Sequence, residues 1–496
     1  MMTWVRIGWA FVWQGAVLIG LIMLGIGWVN GQSKPWDGRA HYLKNDDAIV
    51  GKPGVLVVTL AQPSRYDGVF YINFMEKLFG DGGVIPWPIA PLAGADAGIA
   101  LMDPARPYAP ERFEPTTLAD VDGRTVDIDG VPFVEKWRQG KIRWVKPSAS
   151  VPYDTGFFLY PARKSGMRTA SAKVLLKARY LYYAALPNGY LPHGDQTNAM
   201  AQAALDGLKA ARADVPSAVV DGFNPHAMRV AVRSVLDAGA DTVVLSSILP
   251  IHSDFEELRG SFSKVHKHIE DWRKDNGGKP VKIVIADALS TDDAFYDSWA
   301  AVLDRNLPPA PAPDSPLTVI VTYHGLPLSL INTDLWSQLR PEVGKRMKAR
   351  FTAVTTAKGY RNVKFVEALE GFSEGPEDPE NKLLGVGEAF KAELAAKTPL
   401  AIAVPIEFLS ENTDTLFAHA LTMFEGLPGY APYKGPPADV NWLEGYPRRF
   451  QVGGTTLIYT GSGSPADQAV AARALSNVLT ATVGPRSAAA GEAPRG

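Results

Sequence analysis

The longest run of hydrophobic positions lies near the N-terminus, at residues 9–29 (WAFVWQGAVLIGLIMLGIGWV), and Gln14 is its single strongly polar side chain. A helix of this length rises about 30 Å, which matches the hydrocarbon thickness of a bilayer. Tryptophan favours the membrane interface, and Trp9 and Trp28 lie at the two ends of the run. This pattern predicts one transmembrane helix. The alternative, a cleaved signal peptide, typically has a shorter apolar region.

Basic residues on either side of this run predict the orientation of the rest of the chain. Arg6 precedes the run, whereas Lys34, Arg39 and Lys44 follow it. Lys and Arg near a span are retained on the cytoplasmic side. The excess after the run therefore favours a single-pass membrane protein whose body is cytoplasmic rather than periplasmic.

From residue 54 onward, short apolar segments alternate with segments of helical period. The candidate strands are mostly apolar, as parallel strands covered on both faces are. They are GVLVVTL (54–60), SAVVDGF (217–223), DTVVLSS (241–247), VKIVIAD (281–287), LTVIVTY (317–323) and LAIAVPI (400–406). The candidate helices cover residues 196–212, 225–238, 254–274, 291–305 and 338–358. This alternation predicts an α/β fold with open, mainly parallel sheets.

Four segments depart from the alternation. Residues 91–164 contain many prolines and turn signals, which predicts an insertion with a hairpin around residues 121–133. Residues 307–316 (LPPAPAPDSP) predict a linker, and residues 372–382 a polar loop. The tail at 487–496 is small and polar, and we expect it to be disordered.

Composition excludes several kinds of chemistry. The chain has no cysteine, so it has no disulfides, thiolate metal sites or cysteine nucleophiles. Its net charge is −2 with basic and acidic residues interspersed, and this excludes nucleic acid as the main partner. Hydrophobic residues make up 46% and charged residues 21%, as in ordinary globular proteins.

Two strand ends carry candidate chemistry, because ligands of open α/β sheets bind beyond the carboxyl ends of the strands. His324 directly follows LTVIVTY, and Asp414 lies in the first turn of a predicted helix after LAIAVPI. A neutral imidazole beside a carboxylate accepts protons or binds a divalent metal. Each residue also has a structural alternative. His324 fits a turn histidine bonded to backbone, and Asp414 fits a carboxylate that complements the helix dipole.

Four segments, taken in order, resemble the ferrochelatase family. VTYHGLP resembles that family's strand and turn ending in Ser-x-His-Gly/Ser-x-Pro. PIEFLSENTDTL resembles its Pro-x-x-Phe-x-Ser-Asp-His-x-Glu-Thr-Leu. Residues 54–88 resemble the family's opening strand, turn and helix, and residues 241–262 resemble its strand ending in Tyr-Pro-x-Tyr-Ser. The matches cover most of residues 54–480 apart from the insertion.

The resemblance implies roles for particular residues. It casts His324 as the catalytic histidine and Asp414 as its carboxylate partner, and the two would handle the incoming metal across a porphyrin cleft. The resemblance also implies that the cleft walls are formed by Leu60, Pro63, Leu249, Pro250, His252, Ser253, Leu326 and Pro327. For His252, a packing role is the alternative.

The resemblance also implies an architecture of two chelatase-like, Rossmann-like lobes. Ahead of these lobes, the hydrophobic pattern predicts a transmembrane anchor at residues 1–30, followed by a juxtamembrane linker at residues 31–53. The first lobe would cover 54–216, the second 217–425, and residues 426–486 would return to the lobes.

The expected function is that of a membrane-anchored lyase that inserts Fe²⁺ into a protoporphyrin for haem synthesis. Metal and porphyrin are substrates, and no tightly bound cofactor is expected. The bilayer is the expected partner of residues 9–29, and the insertion 91–164 is a candidate docking surface for a membrane protein. The alternative is a non-catalytic chelatase-fold subunit or a tetrapyrrole-binding protein without turnover. Departures from the family favour it: Asp414 replaces Glu, and Glu411-Asn412 replace Asp-His.

Overall fold

A computed structural model describes residues 36–44, 49, 51–65, 190–326, 331–370, 383–413, 415–416 and 447–484, together with the backbone of three strands between residues 125 and 161. None of the helices in this part of the chain is long and apolar enough to cross a bilayer. The predicted span at 9–29 lies outside the described residues.

The described elements alternate along the chain, as the pattern predicts. The strands are β1 (Pro53–Thr59), β2 (Thr125–Ile128), β3 (Val131–Arg138), β4 (Gly156–Pro161), β5 (Ser217–Asp221), β6 (Thr242–Ser247), β7 (Lys282–Ile285), β8 (Leu317–His324), β9 (Val363–Glu370), β10 (Leu384–Gly385), β11 (Leu400–Pro405), β12 (Arg448–Val452) and β13 (Thr455–Tyr459). The helices are α1 (Gly38–Tyr42), α2 (His193–Ala211), α3 (Pro225–Asp237), a π-helix (Asp254–Ser261), α4 (Phe262–Asp275), a short 3₁₀ turn (Leu289–Thr291), α5 (Asp293–Asn306), α6 (Leu335–Ala357), α7 (Val386–Ala395) and α8 (Pro465–Val483).

Ten of these strands form two sheets dominated by parallel pairs. The first has the order β5-β1-β6-β7 and is parallel throughout. The second has the order β10-β9-β8-β11-β13-β12, in which only β12 is antiparallel to its neighbour. The protein is therefore an α/β protein with two mainly parallel sheets, as predicted. One hydrophobic core includes Val55 of β1 and Val319 of β8, so it connects the two sheets.

The insertion contributes a third, antiparallel sheet in the order β2-β3-β4. Within it, Thr125 pairs with Val134 and Ile128 with Val131. This pairing confirms the hairpin predicted inside residues 91–164.

All six candidate strands form, but one boundary between the lobes is wrong. The strand at Ser217 was expected to begin the second lobe, yet it pairs with β1, where Val55 lies opposite Ser217. On its other side Val55 lies opposite Val244 of β6. The first sheet thus uses strands up to Ile285, and the segment 307–316 separates it in sequence from β8. The order of strands in a sheet depends on non-local pairing, which the apolar pattern alone does not encode.

Two further elements differ from the prediction. The segment expected to be a linker at 31–53 contains α1, whose Asp37 cap accepts a hydrogen bond from the Ala40 amide at 3.2 Å. The helix predicted over 254–274 begins with eight residues of π-helix. Ser253 caps that π-helix through the Glu256 amide.

Candidate active site

Three titratable side chains lie at the carboxyl ends of adjacent strands in the second sheet. His324 ends β8, and its Cα partner on β9 is Glu370. On the other side of β8, Pro405 of β11 pairs with Thr322. Continuing this register by two residues brings Glu407 level with His324. The sheet therefore places a carboxylate on each side of the histidine.

Glu407 is held by two donors. It accepts hydrogen bonds from the backbone amide of His324 and from the indole Nε1 of Trp336, the latter at 2.6 Å. Burial raises the pKa of Glu407 to about 7, although these donors and the charge of Arg340 act to lower it. A carboxyl group with a pKa near neutrality is suited to general acid–base chemistry.

Glu370 secures the turn on the other side of His324. Its buried carboxylate accepts hydrogen bonds from the hydroxyls of Thr322 and Tyr459, the latter at 3.0 Å. Its backbone carbonyl accepts from the amide of Gly325. The His324 ring itself is only partly buried, and it meets Phe408 edge-on with ring centroids 5.5 Å apart.

Arg340 contributes positive charge near Glu407 and contacts the Trp336 ring that donates to it. Its side chain is 4% exposed and lies over the rings of Tyr323 and Trp336, at 5.4 and 5.7 Å from their centroids. Its guanidinium also donates to the carboxylate of Glu367. These contacts fix the Trp336 indole that bonds Glu407.

Hydrogen bonds between the two sheets flank this site on one side. The side-chain oxygen of Gln62, after β1, accepts from both the amide and the hydroxyl of Thr413 at 3.0 Å. Nearby, the hydroxyls of Thr197 and Ser410 lie 3.1 Å apart. The segments that follow β1 and β11 thus meet, as the carboxyl ends of strands do around a ligand crevice.

On the other side, two buried carboxylates cap helices across the joint. Asp334 caps α6 and also accepts from the amides of Asp254 and Phe255 at 2.9 Å. In return, Asp254 accepts from the Leu335 amide at 3.0 Å. Burial raises the pKa of Asp334 to about 6, and the charge of Asp254 adds to that rise. Each helix N-terminus therefore also donates to a carboxylate of the other lobe.

The residues predicted to line the cleft follow strands of both sheets. Leu60 and Pro63 come after β1 and are partly buried, as is Leu249 after β6. Pro250 is buried, and Leu326, two residues after His324, is 4% exposed. Pro327 and Asp414 lie outside the described residues, so the pairing of His324 with Asp414 stays a prediction.

His252 and Ser253 are bound up in internal contacts. The His252 ring is 1% exposed, with Nδ1 2.5 Å from a Glu257 carboxylate oxygen and Nε2 2.9 Å from the Ala286 carbonyl. Burial by itself would lower the pKa of His252, but the Glu257 carboxylate raises it. Both nitrogens therefore donate to acceptors, which favours the packing alternative for His252. Ser253 donates to Asp334 at 3.2 Å.

Sequence reasoning missed the roles of Glu407 and Glu370. Glu407 lies within PIEFLSENTDTL, two residues after an apolar strand. Aligning the two predicted strands β8 and β11 as parallel neighbours would have placed it beside His324. Glu370 had no such signal, because β9 is half-polar and was not predicted as a strand.

The fold and this site define an α/β protein with two mainly parallel sheets and with a histidine and carboxylates at the joint between its lobes. Among the described residues, no group of three or more His, Asp or Glu side chains is arranged to hold a metal ion. No model of a known protein family matches the chain, and comparison with curated proteins gives no match.

Proposed function

We propose that this protein is a membrane-anchored, ferrochelatase-like lyase that inserts a divalent metal, Fe²⁺ in haem synthesis, into a protoporphyrin-type tetrapyrrole. The observation that supports this best is the placement of His324 and Glu407 side by side, at strand ends beside the joint of two α/β lobes. The order of the four segments that resemble ferrochelatases supports the same activity.

The chemistry requires two proton acceptors. When M²⁺ enters a free-base porphyrin, two pyrrole N–H bonds break and two protons leave as four N–metal bonds form. In our proposal, the His324 imidazole accepts one proton and Glu407, whose pKa is raised to about 7, accepts the other. Asp414, the carboxylate implied by the resemblance, would help to deliver the metal.

The anchor at residues 9–29 suits such a substrate. A porphyrin is flat and apolar and partitions into lipid, so an enzyme tethered to the bilayer searches two dimensions for it. The anchor would also place the body on the cytoplasmic side, in agreement with the basic residues after the span.

An insertion assay tests this function. The full chain in lipid nanodiscs is mixed with protoporphyrin and Fe²⁺ or Zn²⁺, and loss of free-porphyrin fluorescence is followed. We expect His324→Ala and Glu407→Gln each to lower kcat by roughly 100-fold or more, the scale of general acid–base catalysis. Glu388→Gln, an exposed carboxylate on α7, is the matched control and should keep the wild-type rate. Unchanged turnover in both site variants would contradict the proposal.

A second candidate is a tetrapyrrole-binding or structural subunit that keeps the fold without turnover. It is favoured by the two donors on Glu407, which give this carboxylate a structural role in the turn of His324. Tight porphyrin binding without insertion would support a carrier or sensor. Absence of both binding and insertion would support a structural subunit.

A further inference from the structure

One segment of the first lobe carries an excess of basic residues, part of which is ion-paired: Arg273 with Glu270 and Lys274 with Asp271. It consists of the end of the π-helix, α4 and the turn that leads into β7, residues 259–282, and is called the α4 face. It carries seven Lys and Arg against three Asp and Glu, although the whole chain has a net charge of −2. Lys267, Lys274 and Lys279 on this face are exposed.

The segment that contains Trp36 packs on this face. The Trp36 ring stacks on His266 of α4, with centroids 4.9 Å apart and planes 2° from parallel. Gly38 lies so close to the π-helix that a Cβ atom there would be 2.1 Å from the Leu258 carbonyl oxygen. Residues 36–44, called the strap, therefore pack directly against the body.

Side-chain bonds fix the strap to both lobes. Arg39 donates to the Asp254 carboxylate at 2.9 Å and to the Thr333 carbonyl at 2.8 Å. The His41 ring donates to the Ile283 carbonyl at 2.6 Å, and the Tyr42 hydroxyl donates to Asp287 at 3.1 Å. The strap is therefore held in place by contacts with both lobes.

The remaining distance to the bilayer is short. Six residues, 30–35, separate the predicted span from Trp36, and an extended chain of that length reaches at most about 21 Å. Lys267 is adjacent to His266, and Lys274 lies eight residues beyond His266, about 12 Å along the helix. The exposed lysines are therefore within reach of the headgroup layer.

We propose that the α4 face lies against anionic lipid headgroups and orients the body on the membrane. The proposal rests on the anchor included in the proposed function. Lys and Arg side chains near a membrane surface are attracted by anionic lipids, and the attraction decays within a Debye length of about 8–10 Å. Because the strap packs on the α4 face, we expect this attraction to bring the α4 face to the membrane surface.

The absence of cysteine makes a site-specific test straightforward. A single nitroxide-quenchable fluorophore is attached to Asn276→Cys, at the exposed end of α4, or to Ala353→Cys as the control. Ala353 lies on α6, 18 residues beyond Leu335, the end of that helix nearest the strap. The full chain is placed in nanodiscs of phosphatidylcholine with or without about 30% phosphatidylglycerol, and quenching by headgroup-labelled lipid is measured.

We expect the Asn276 position to be quenched at least threefold more than the Ala353 position in phosphatidylglycerol nanodiscs, and the excess to disappear in 1 M salt. The triple variant Lys267→Glu, Lys274→Glu, Lys279→Glu should abolish the excess. The matched reversal Lys345→Glu, Lys348→Glu, Lys391→Glu, on the second lobe, should keep it. Equal quenching at both positions in protein that enters nanodiscs would contradict the contact of the α4 face with lipid and leave the anchor intact. Failure of the chain to enter nanodiscs would contradict both the anchor and this contact.

Discussion

At the scale of residues, the joint between the lobes depends on two buried acids. Asp334 is 3% exposed and Asp254 5%, and together they receive hydrogen bonds from four backbone amides, those of Asp254, Phe255, Leu335 and Trp336. The Arg39 guanidinium neutralises Asp254, whereas Asp334 relies mainly on neutral donors. Burial raises the pKa of Asp334, and the hydrogen bonds from these neutral donors offset only part of that rise.

This shift predicts a pH dependence of stability. The pKa of Asp334 rises from 3.8 to about 6 on folding, so the folded chain binds a proton that the unfolded chain has lost. Proton binding by Asp334 raises the free energy of unfolding by on the order of 3 kcal/mol below pH 4. This stabilisation is lost as the pH rises through 6. Chemical denaturation at several pH values measures it.

The variant Asp334→Asn is the control for that slope, because its amide does not titrate. We expect the free energy of unfolding of this variant to change less between pH 4 and pH 6.5 than that of the wild type. If the two slopes are equal, the titration of Asp334 is not the cause. A lower overall stability is expected in either case, because an amide has only one acceptor oxygen for the amides that Asp334 receives.

At the scale of elements, the strap connects helices of both lobes through a single guanidinium. Arg39→Ala would remove the donor to Thr333 and leave Asp254 buried with less compensation for its charge. The loss of a charged hydrogen bond is worth about 1.5–3 kcal/mol. We expect amide hydrogen exchange at Leu335 to accelerate by roughly tenfold or more, while exchange in β1 and β8 stays near the wild-type rate.

Arg233→Ala is a matched control for the strap variant. Arg233 forms an ion pair with Asp275 within the first lobe, and both side chains are well exposed. Surface pairs of this kind contribute little to stability, so exchange at Leu335 should not change. Equal acceleration in both variants would show that the effect is general destabilisation and not release of the joint.

At the scale of the whole molecule, membrane attachment is the expectation with the broadest consequence. If residues 9–29 span the bilayer, the full chain should stay with the membrane pellet after carbonate washing and require detergent for extraction. Replacing two central apolar residues, Leu18→Arg and Leu21→Arg, should release it, since Arg at a helix centre costs about 2.5–3.5 kcal/mol each. Wild-type protein found in the aqueous fraction would contradict the anchor.

Much of the α/β fold could be predicted from local pattern. Each of β1, β6, β8 and β11 is a mostly apolar run that is buried along nearly all of its length, because both faces of its sheet are covered, and that pattern lies in consecutive residues. The candidate helix at 225–238 likewise forms as α3, which Asn224 caps by accepting from the Ala227 amide. His324 was found because it directly follows such a run.

Tertiary structure decided what depends on pairing between distant segments. The strand at Ser217 joins β1 across the whole insertion, and Glu407 reaches His324 through the register of β8 and β11, 83 residues apart. Neither relation leaves a periodic trace in the sequence. Burial is also a property of the packed chain: the Trp336 and Glu407 side chains gain their contact, and Glu407 its raised pKa, only when α6 closes against the end of β11. The sequence by itself determined the buried strands and most of the helices, because backbone preference and apolar period are local, but not the half-polar β9 or the helix α1. The neighbours of each strand, and the chemistry of the site, followed from the fold.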